Sequence, residues 1–124
     1  MNRVSRWAIA LLVLLTAVPL VVYGIAMLFL PETVPLHFGF DGTPNRWGSK
    51  YELLVVGAIL SGVNVICALC YVFAPALKRM GLLNAPKNND VGIARVILLI
   101  SAGIIDVVSV AIIMQVYLVA QAAA

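Results

Sequence analysis

The chain has 124 residues, of which 64% are hydrophobic and only 10% are charged, and its mean hydropathy is +1.10. A soluble domain carries about 25% charged residues, so this composition excludes an ordinary soluble domain and indicates a membrane protein. The net charge of +3 is small, and no basic stripe interleaved with exposed aromatic residues accompanies it. We therefore expect the lipid bilayer as a partner and no nucleic acid.

Three long apolar runs predict three transmembrane helices, at about residues 7–30, 51–73 and 91–119. At about 1.5 Å rise per residue, each run can cross a hydrocarbon core of about 30 Å. The first run is longer than the roughly 7 to 15 apolar residues of a secretory signal, so we expect an uncleaved anchor. The predicted fold class is an all-α membrane protein, with residues 1–124 as a single three-span domain.

Basic residues near the ends of the runs predict the orientation, because Lys and Arg are held on the cytoplasmic side during insertion. The first loop has only Arg46 and Lys50. The segment before the first run has Arg3 and Arg6, and the second loop has Lys78, Arg79 and Lys87, with Arg95 just inside the third run. We expect a cytoplasmic N-terminus, an extracytoplasmic first loop and an extracytoplasmic C-terminus.

Residues 31–50 form a polar and aromatic island between the first two runs. Pro31 and Pro35 predict the end of the first helix, because neither can donate a backbone hydrogen bond. Apolar and non-apolar residues then alternate over residues 36–41, which is the period of a short strand with one apolar face. Asp41-Gly42 is a typical hairpin turn. The island is predicted to be an ordered loop, with a short β-hairpin as one form that it can take.

The end of the island predicts how the second helix begins. Ser49 and Glu52 have the spacing of a capping box, in which the Ser49 hydroxyl accepts from the Glu52 amide and the Glu52 side chain reaches back to the Ser49 amide. Trp47 and Tyr51 lie where aromatic rings favour the membrane interface. A loop of roughly 20 residues is longer than a bare connection needs. We therefore expect an ordered cap on the outer membrane surface.

The island also carries a motif, which reads Leu30-Pro31-x-x-Val34-Pro35-x-His37-Phe38-x-x-x-Gly42-x-Pro44-Asn45-Arg46-Trp47-Gly48-Ser49-Lys50. This run resembles the signature of a small bacterial membrane domain of unknown function that also forms the N-terminal part of the SdpI family of immunity proteins. The resemblance covers the first helix, the island and the start of the second helix, whereas residues 84–90 match only faintly. SdpI-type proteins have more spans than the three predicted here.

The resemblance implies a multi-pass protein of the bacterial plasma membrane. Well-described members of the SdpI family protect the producing cell from a secreted toxin and take part in signalling by sequestering a repressor. The island would then be the recognition element. The residues that the motif implies for partner binding are Pro35, His37, Phe38, Gly42, Arg46, Trp47, Ser49 and Lys50.

Catalysis in the island would depend on His37, the only histidine of the chain. A triad with Ser49 and Asp41 is disfavoured because the predicted capping box occupies the serine hydroxyl. A metal site of His37 with Glu32 or Asp41 has weak support, since one histidine and scattered carboxylates are poor ligand evidence. We favour hydrogen bonding of His37 to Asp41 across the hairpin. Arg46 and Lys50 would then contact lipid phosphates or Glu32. No catalytic residue, metal or cofactor is predicted.

Three polar residues lie at similar depth in the three spans, namely Thr16, Asn64 and Asp106. An unpaired charge at such a depth costs at least about 2.5 to 3.5 kcal/mol, so Asp106 should be neutral or partnered. The three side chains are predicted to form one hydrogen-bonded layer, with a protonated Asp106 pinning the third helix to Asn64. The alternatives are a site that senses a proton or a ligand and a contact to a cation of a partner subunit.

Small residues in the second span predict close helix contacts. Gly57 with Ser61, and Ala58 with Gly62, have the spacing that lets another helix approach, either within the chain or in a homo-oligomer. Cys67 and Cys70 are spaced like a redox pair, but in an apolar helix we expect them to behave as small hydrophobic residues.

These observations leave three interpretations of the function. The leading hypothesis is a non-enzymatic, SdpI-like membrane protein whose extracytoplasmic loop recognises a toxin or another peptide, in immunity or signalling. The alternative is an accessory subunit of a larger membrane transporter or respiratory assembly. A metal-dependent enzyme centred on His37 is the third and least supported interpretation.

Overall fold

The computed structural model describes residues 4–83 and 91–123 of the chain. Arg3, Lys87 and the loop of residues 84–90, on which part of the orientation and family arguments rest, lie outside these ranges. The elements in chain order are α1 (Arg6–Ala26), β1 (Thr33–Phe38), β2 (Pro44–Ser49), α2 (Glu52–Val72), α3 (Ala74–Arg79) and α4 (Gly92–Ala122). Within the described residues, α1, α2 and α4 are long and apolar enough to cross a membrane. The predicted helical architecture with three spans is confirmed.

The first helix ends four residues earlier than the apolar run predicts. α1 ends at Ala26, and the chain then tightens through bonds from the amides of Leu28 and Phe29 to the carbonyls of Ile25 and Ala26. Hydrogen bonds between residues three apart form a 3₁₀ turn, and they satisfy some of the carbonyl groups that a helix end leaves without partners. The helix therefore stops before Pro31 is reached, and the turn carries the chain into the hairpin.

The three spans pack around small and polar residues. Gly57 of α2 lies against the ring of Tyr23 of α1, so closely that an added Cβ would sit 3.0 Å from the ring carbon Cγ. One turn further along α2, the Ser61 hydroxyl donates to the Thr16 carbonyl over 2.8 Å. α4 packs against both other spans. A small residue therefore lets α1 pack closely against α2, as the spacing of Gly57 and Ser61 predicts.

The island folds as a two-stranded antiparallel hairpin, which confirms the predicted ordered loop. The residues connecting the strands are 39–43, where the Gly39 amide donates to the Thr43 carbonyl over 2.8 Å and the Gly42 amide to the Gly39 carbonyl over 3.0 Å. Gly42 has a φ of 81°, a conformation that suits glycine. Asp41 does not share it, so the connection is a longer loop and not the two-residue turn that Asp41-Gly42 predicts.

The hairpin covers one end of the helix bundle, which we call the hairpin end. α4 has 31 residues, so it is about 46 Å long and exceeds a hydrocarbon core of about 30 Å. β1 packs against α4, and the core at this end joins Val34 of β1 to Val116 and Ala120 of α4. The remaining buried members of that core are Tyr23, Ala26, Leu30 and Leu53. The hairpin and the helices thus share one hydrophobic core.

Candidate functional site

Lys50 joins the hairpin to the end of α1. Its side chain is only 11% exposed, and its ammonium donates to the carbonyl of Met27 over 3.1 Å and to the carbonyl of Leu30 over 3.3 Å. The carboxylate of Glu32 lies 3.1 Å from the same nitrogen. A cation at this place satisfies carbonyls at the helix end and complements the negative end of the helix dipole. Lys50 is therefore the cap of α1, supplied from the far side of the hairpin.

A second ion pair joins β2 to α2. Arg46 donates to the carboxylate of Glu52 over 2.8 Å, with both side chains about half exposed. Gly48 lies beside this pair, and an added Cβ there would sit 2.5 Å from Leu36 Cδ1 and 2.8 Å from Glu52 Oε1. A side chain at this position would therefore require the ends of the Leu36 and Glu52 side chains to shift.

The predicted capping box is wrong. α2 begins after Tyr51, which makes no side-chain cap, and the Ser49 hydroxyl accepts from the Tyr51 amide over 3.3 Å instead. Ser49 is held in β2 opposite Thr33, and the Glu52 carboxylate is bound to Arg46. Strand pairing places the serine outside the geometry of a helix cap, and the arginine takes the carboxylate that the box requires.

The outward face of the hairpin carries polar and aromatic side chains. His37 Nδ1 is bonded to the amide oxygen of Asn45 across the strands, so the predicted bond between His37 and Asp41 is wrong. Trp47 is 42% exposed, and Phe40 is fully exposed in the loop that joins the strands. Sequence reasoning did not single out Phe40 or Asn45 as site residues, although an aromatic residue inside a glycine-bounded hairpin loop is a signal that it could have used.

Asp41 orders the loop of the hairpin. Its carboxylate accepts from the Thr43 hydroxyl over 2.7 Å and from the Thr43 amide over 3.1 Å. These two hydrogen bonds favour the charged form and lower the pKa of Asp41 below its ordinary value. The carboxylate therefore has a local structural partner in the loop.

The residues that the motif implies for partner binding divide into two groups in the structure. Pro35 and Lys50 are buried, and Phe38 is half-buried where the hairpin meets the bundle. The exposed motif residues are His37, Gly42, Arg46, Trp47 and Ser49. Their role in binding stays a prediction, and the geometry shows which of them a partner can reach.

The intramembrane polar layer forms as predicted between α2 and α4. The Asn64 amide nitrogen donates to Asp106 Oδ1 over 2.8 Å and to the carbonyl of Leu15 over 2.9 Å. Asn64 is 1% exposed and Asp106 is 7% exposed. Thr16 joins the layer through its backbone carbonyl, which accepts from Ser61, and not through the predicted side-chain bond. The layer links all three spans at one depth.

Arg95 has a structural role that the sequence reading missed. Its Nε donates to the carbonyl of Tyr71 in the last turn of α2 over 3.0 Å, and its guanidinium lies 5.2 Å from the centre of the Tyr71 ring. This contact repeats the arrangement of Lys50 and α1, because a cation from a later segment again caps the C-terminal end of an earlier helix. Both basic residues are buried at a helix end, which the sequence alone does not show.

Neither of the other sequence signals for chemistry gains support from the geometry. In residues 4–83 and 91–123, no three His, Cys, Asp or Glu side chains come together in a group that could hold a metal ion. Cys67 and Cys70 are half-buried free thiols.

Of the small residues on α2, Gly57 and Ser61 are buried inside the bundle, whereas Ala58 and Gly62 are exposed.

Fold and site together define a multi-pass membrane protein in which a β-hairpin cap joins the first two spans. Residues 10–60 match the model of a Domain of unknown function (DUF1648), so the match runs from α1 through the hairpin into α2. An uncharacterized protein of Archaeoglobus fulgidus is 49% identical over 59 residues, which make up 48% of this chain and 28% of that protein. The matched segment spans little more than a quarter of the relative's length. No solved structure matches the chain.

Proposed function

We propose that the chain is a non-enzymatic membrane protein whose hairpin cap binds a membrane-active peptide outside the cytoplasm, as in SdpI-like immunity or signalling. The observation that carries the proposal is that the hairpin has two sets of side chains, one buried and one exposed. Buried residues fix the cap on the helix bundle, while His37, Asn45 and Trp47 remain exposed. The resemblance of the motif to the SdpI family supplies the kind of partner.

The exposed hairpin face has the composition of a binding surface. Aromatic residues and arginine are enriched in protein interfaces and among the residues that contribute most to affinity, and here Phe40, Trp47 and Arg46 are all exposed. Because the strands and the Lys50 contacts order the cap before any partner arrives, binding costs less conformational entropy than it would in a flexible loop.

The proposal includes the orientation with the N-terminus in the cytoplasm and the hairpin outside a bacterial plasma membrane. The basic residues at the end of the bundle opposite the hairpin, Lys78 and Arg79 in α3, support it through the preference of such residues for the cytoplasmic side. The two cations of the hairpin, Arg46 and Lys50, have structural partners. Their ion pairs therefore account for two basic residues on the extracytoplasmic side, against the general preference of Lys and Arg for the cytoplasm.

Survival of a toxin-sensitive bacterial host tests the proposal. Cells expressing the chain should survive a secreted membrane-active peptide better than the parent strain, and H37A and W47A should each lose that gain while membrane levels of the protein stay unchanged. Met80→Ala, an exposed uncharged change directly after α3, is the control and should keep the gain. Equal survival of the parent and the expressing strain across such peptides would refute immunity, and full protection by both hairpin variants would refute the assigned face.

A second candidate, an accessory subunit of a larger membrane assembly, is favoured by the outer surface of the spans. A groove of about 350 Å³ between α1 and α4 is lined almost entirely by apolar side chains, including Phe29 and Met114. On α2, Ala58 and Gly62 leave a shallow surface that another helix could approach closely. Recovery of the protein in mild detergent only as a lone monomer would contradict this candidate.

A further inference from the structure

The hydrogen-bonding capacity of the Asn64 amide is used up on the donor side. The Asn64 side chain has two N–H groups, and they meet two acceptors, the Leu15 carbonyl of α1 and Oδ1 of Asp106 of α4. No further N–H remains on Asn64 for the second carboxyl oxygen of Asp106.

Two oxygen atoms of this same pair have no partner. Oδ1 of Asn64 and Oδ2 of Asp106 are both buried, and neither has a hydrogen bond among the residues that the structure describes. With an ionised carboxyl group both atoms are acceptors, so they cannot satisfy each other, and each buried unsatisfied acceptor costs about 1 to 3 kcal/mol. A single proton on Asp106 Oδ2 removes both deficits, because the resulting O–H is a donor and the Asn64 oxygen is an acceptor.

The geometry already in place favours that second bond. Amide and carboxyl groups are planar forks with two heteroatoms each, and the bond from Asn64 Nδ2 to Asp106 Oδ1 joins one arm of each fork. The bond from Asp106 Oδ2–H to Asn64 Oδ1 closes a ring of eight atoms between the two groups.

Among the residues that the structure describes, the surroundings of Asp106 offer no other group that balances a charge on it. The surface cleft of about 440 Å³ beside it is lined by Val18, Val107, Val110 and Ala111. Arg95 lies eleven residues away along α4, about 16 Å at the rise of a helix, and its guanidinium is directed to the end of α2. The titratable groups at other depths of the three spans are Arg6, Tyr23, Glu52, Cys67, Cys70, Tyr71 and Tyr117. None of them is bonded to Asp106 in the part of the chain that the structure describes.

We propose that Asn64 and Asp106 form a proton-binding site in the middle of the membrane. The ligand is one proton, held on Asp106 Oδ2 and donated to Asn64 Oδ1, so that acid and amide form a cyclic pair. Through the Leu15 carbonyl the same amide reaches α1, and the proton thereby completes a contact that joins all three spans. Loss of the proton leaves two buried acceptors opposite each other and weakens the contact of α2 with α4.

Infrared difference spectroscopy of the protein in lipid vesicles at neutral pH tests the site. The spectrum of wild type minus D106N should contain the carbonyl stretch of a protonated carboxyl group, and this band should shift in D₂O. In N64L the band should move to higher frequency, because its hydrogen-bond acceptor is gone. A difference spectrum with carboxylate bands and no protonated carboxyl band would overturn the proposal.

The unfolding equilibrium of two Asp106 variants gives a second test that does not depend on infrared assignment. D106N replaces the acid by an amide that can make both bonds with Asn64, so its unfolding constant should match that of the wild type. D106L loses both bonds, and its unfolding constant should rise about threefold for each, the equivalent of the average of about 0.6 kcal/mol for interhelical bonds in membranes. Ile104→Leu, on an exposed part of α4, is the control. A D106N protein as unstable as D106L would contradict the cyclic pair.

Discussion

Replacing Lys50 by methionine should destabilise the protein although Lys50 lies in a motif that resembles a recognition element. Methionine keeps an unbranched apolar stem and removes the ammonium group. The change deletes the hydrogen bonds to the carbonyls of Met27 and Leu30 and the ion pair with Glu32. It should therefore loosen the hairpin from the end of α1 and not merely alter its surface.

The size of the effect follows from the burial of these contacts. A hydrogen bond to a charged group contributes about 1.5 to 3 kcal/mol, and of the two acceptors the Leu30 carbonyl forms the more buried bond. The ion pair adds little, because the Glu32 side chain is 76% exposed and exposed pairs contribute about 0 to 1 kcal/mol. The bond to the Met27 carbonyl is only part-buried and contributes less than the bond to Leu30. We therefore expect K50M to lower the free energy of unfolding by about 2 to 4 kcal/mol, mostly through the carbonyl contacts.

The assay is equilibrium unfolding of the purified protein in bilayer-like micelles, followed by far-UV circular dichroism and by tryptophan fluorescence. Glu32→Gln is the matched control, since it removes the ion pair and leaves the carbonyl contacts of Lys50 in place. It should cost less than about 1 kcal/mol. A K50M protein as stable as the wild type would refute the assignment of Lys50 as a helix cap.

Two further changes in the hairpin have defined outcomes. Gly48→Ala should lower the unfolding midpoint slightly, because Leu36 Cδ1 and Glu52 Oε1 must both shift to admit the new methyl group. Gly42→Ala meets open space but has a φ of 81°, so it should act only through backbone strain in the loop. Equal stability of Gly48→Ala and wild type would contradict the steric account. Thr43→Val should raise the pKa of Asp41 toward its ordinary value of 3.8, as measured by NMR titration of the side-chain carboxyl group. Because folding lowers the pKa of Asp41, its carboxylate stabilises the fold above the unfolded pKa, and this stabilisation is lost as the pH falls through the folded pKa. An unchanged titration of Asp41 in Thr43→Val would contradict the role of the hydroxyl.

Hydrophobic length and local turn chemistry make most of the architecture predictable from the sequence. Three runs long enough to span a membrane can form little other than helices, and α1, α2 and α4 lie within a few residues of the predicted ranges. The alternation over residues 36–41 and the glycine at position 42 predict the hairpin. Asn64 and Asp106 can be paired in advance because polar groups at one depth in hydrocarbon have few other partners.

The contacts that anchor the hairpin could not be predicted, because they join segments far apart in the chain. Lys50 meets carbonyls 20 and 23 residues away, and local spacing does not reveal such a distance. The capping box failed for the same reason: Ser49 and Glu52 have the right spacing, but strand pairing with Thr33 and the bond to Arg46 take precedence. α3 was missed because its six residues are too few for a periodic signal.

The central claim is that residues 33–50 form an ordered cap fixed to the membrane helices, and hydrogen–deuterium exchange of the protein in lipid nanodiscs tests it most directly. The amides that pair in the hairpin should exchange slowly, including those of Gly39, bonded to Thr43, and Lys50, bonded to Glu32. In K50M, protection should fall across the hairpin and persist in the middle of α2. Fast exchange throughout residues 33–50 in the wild type would contradict the claim.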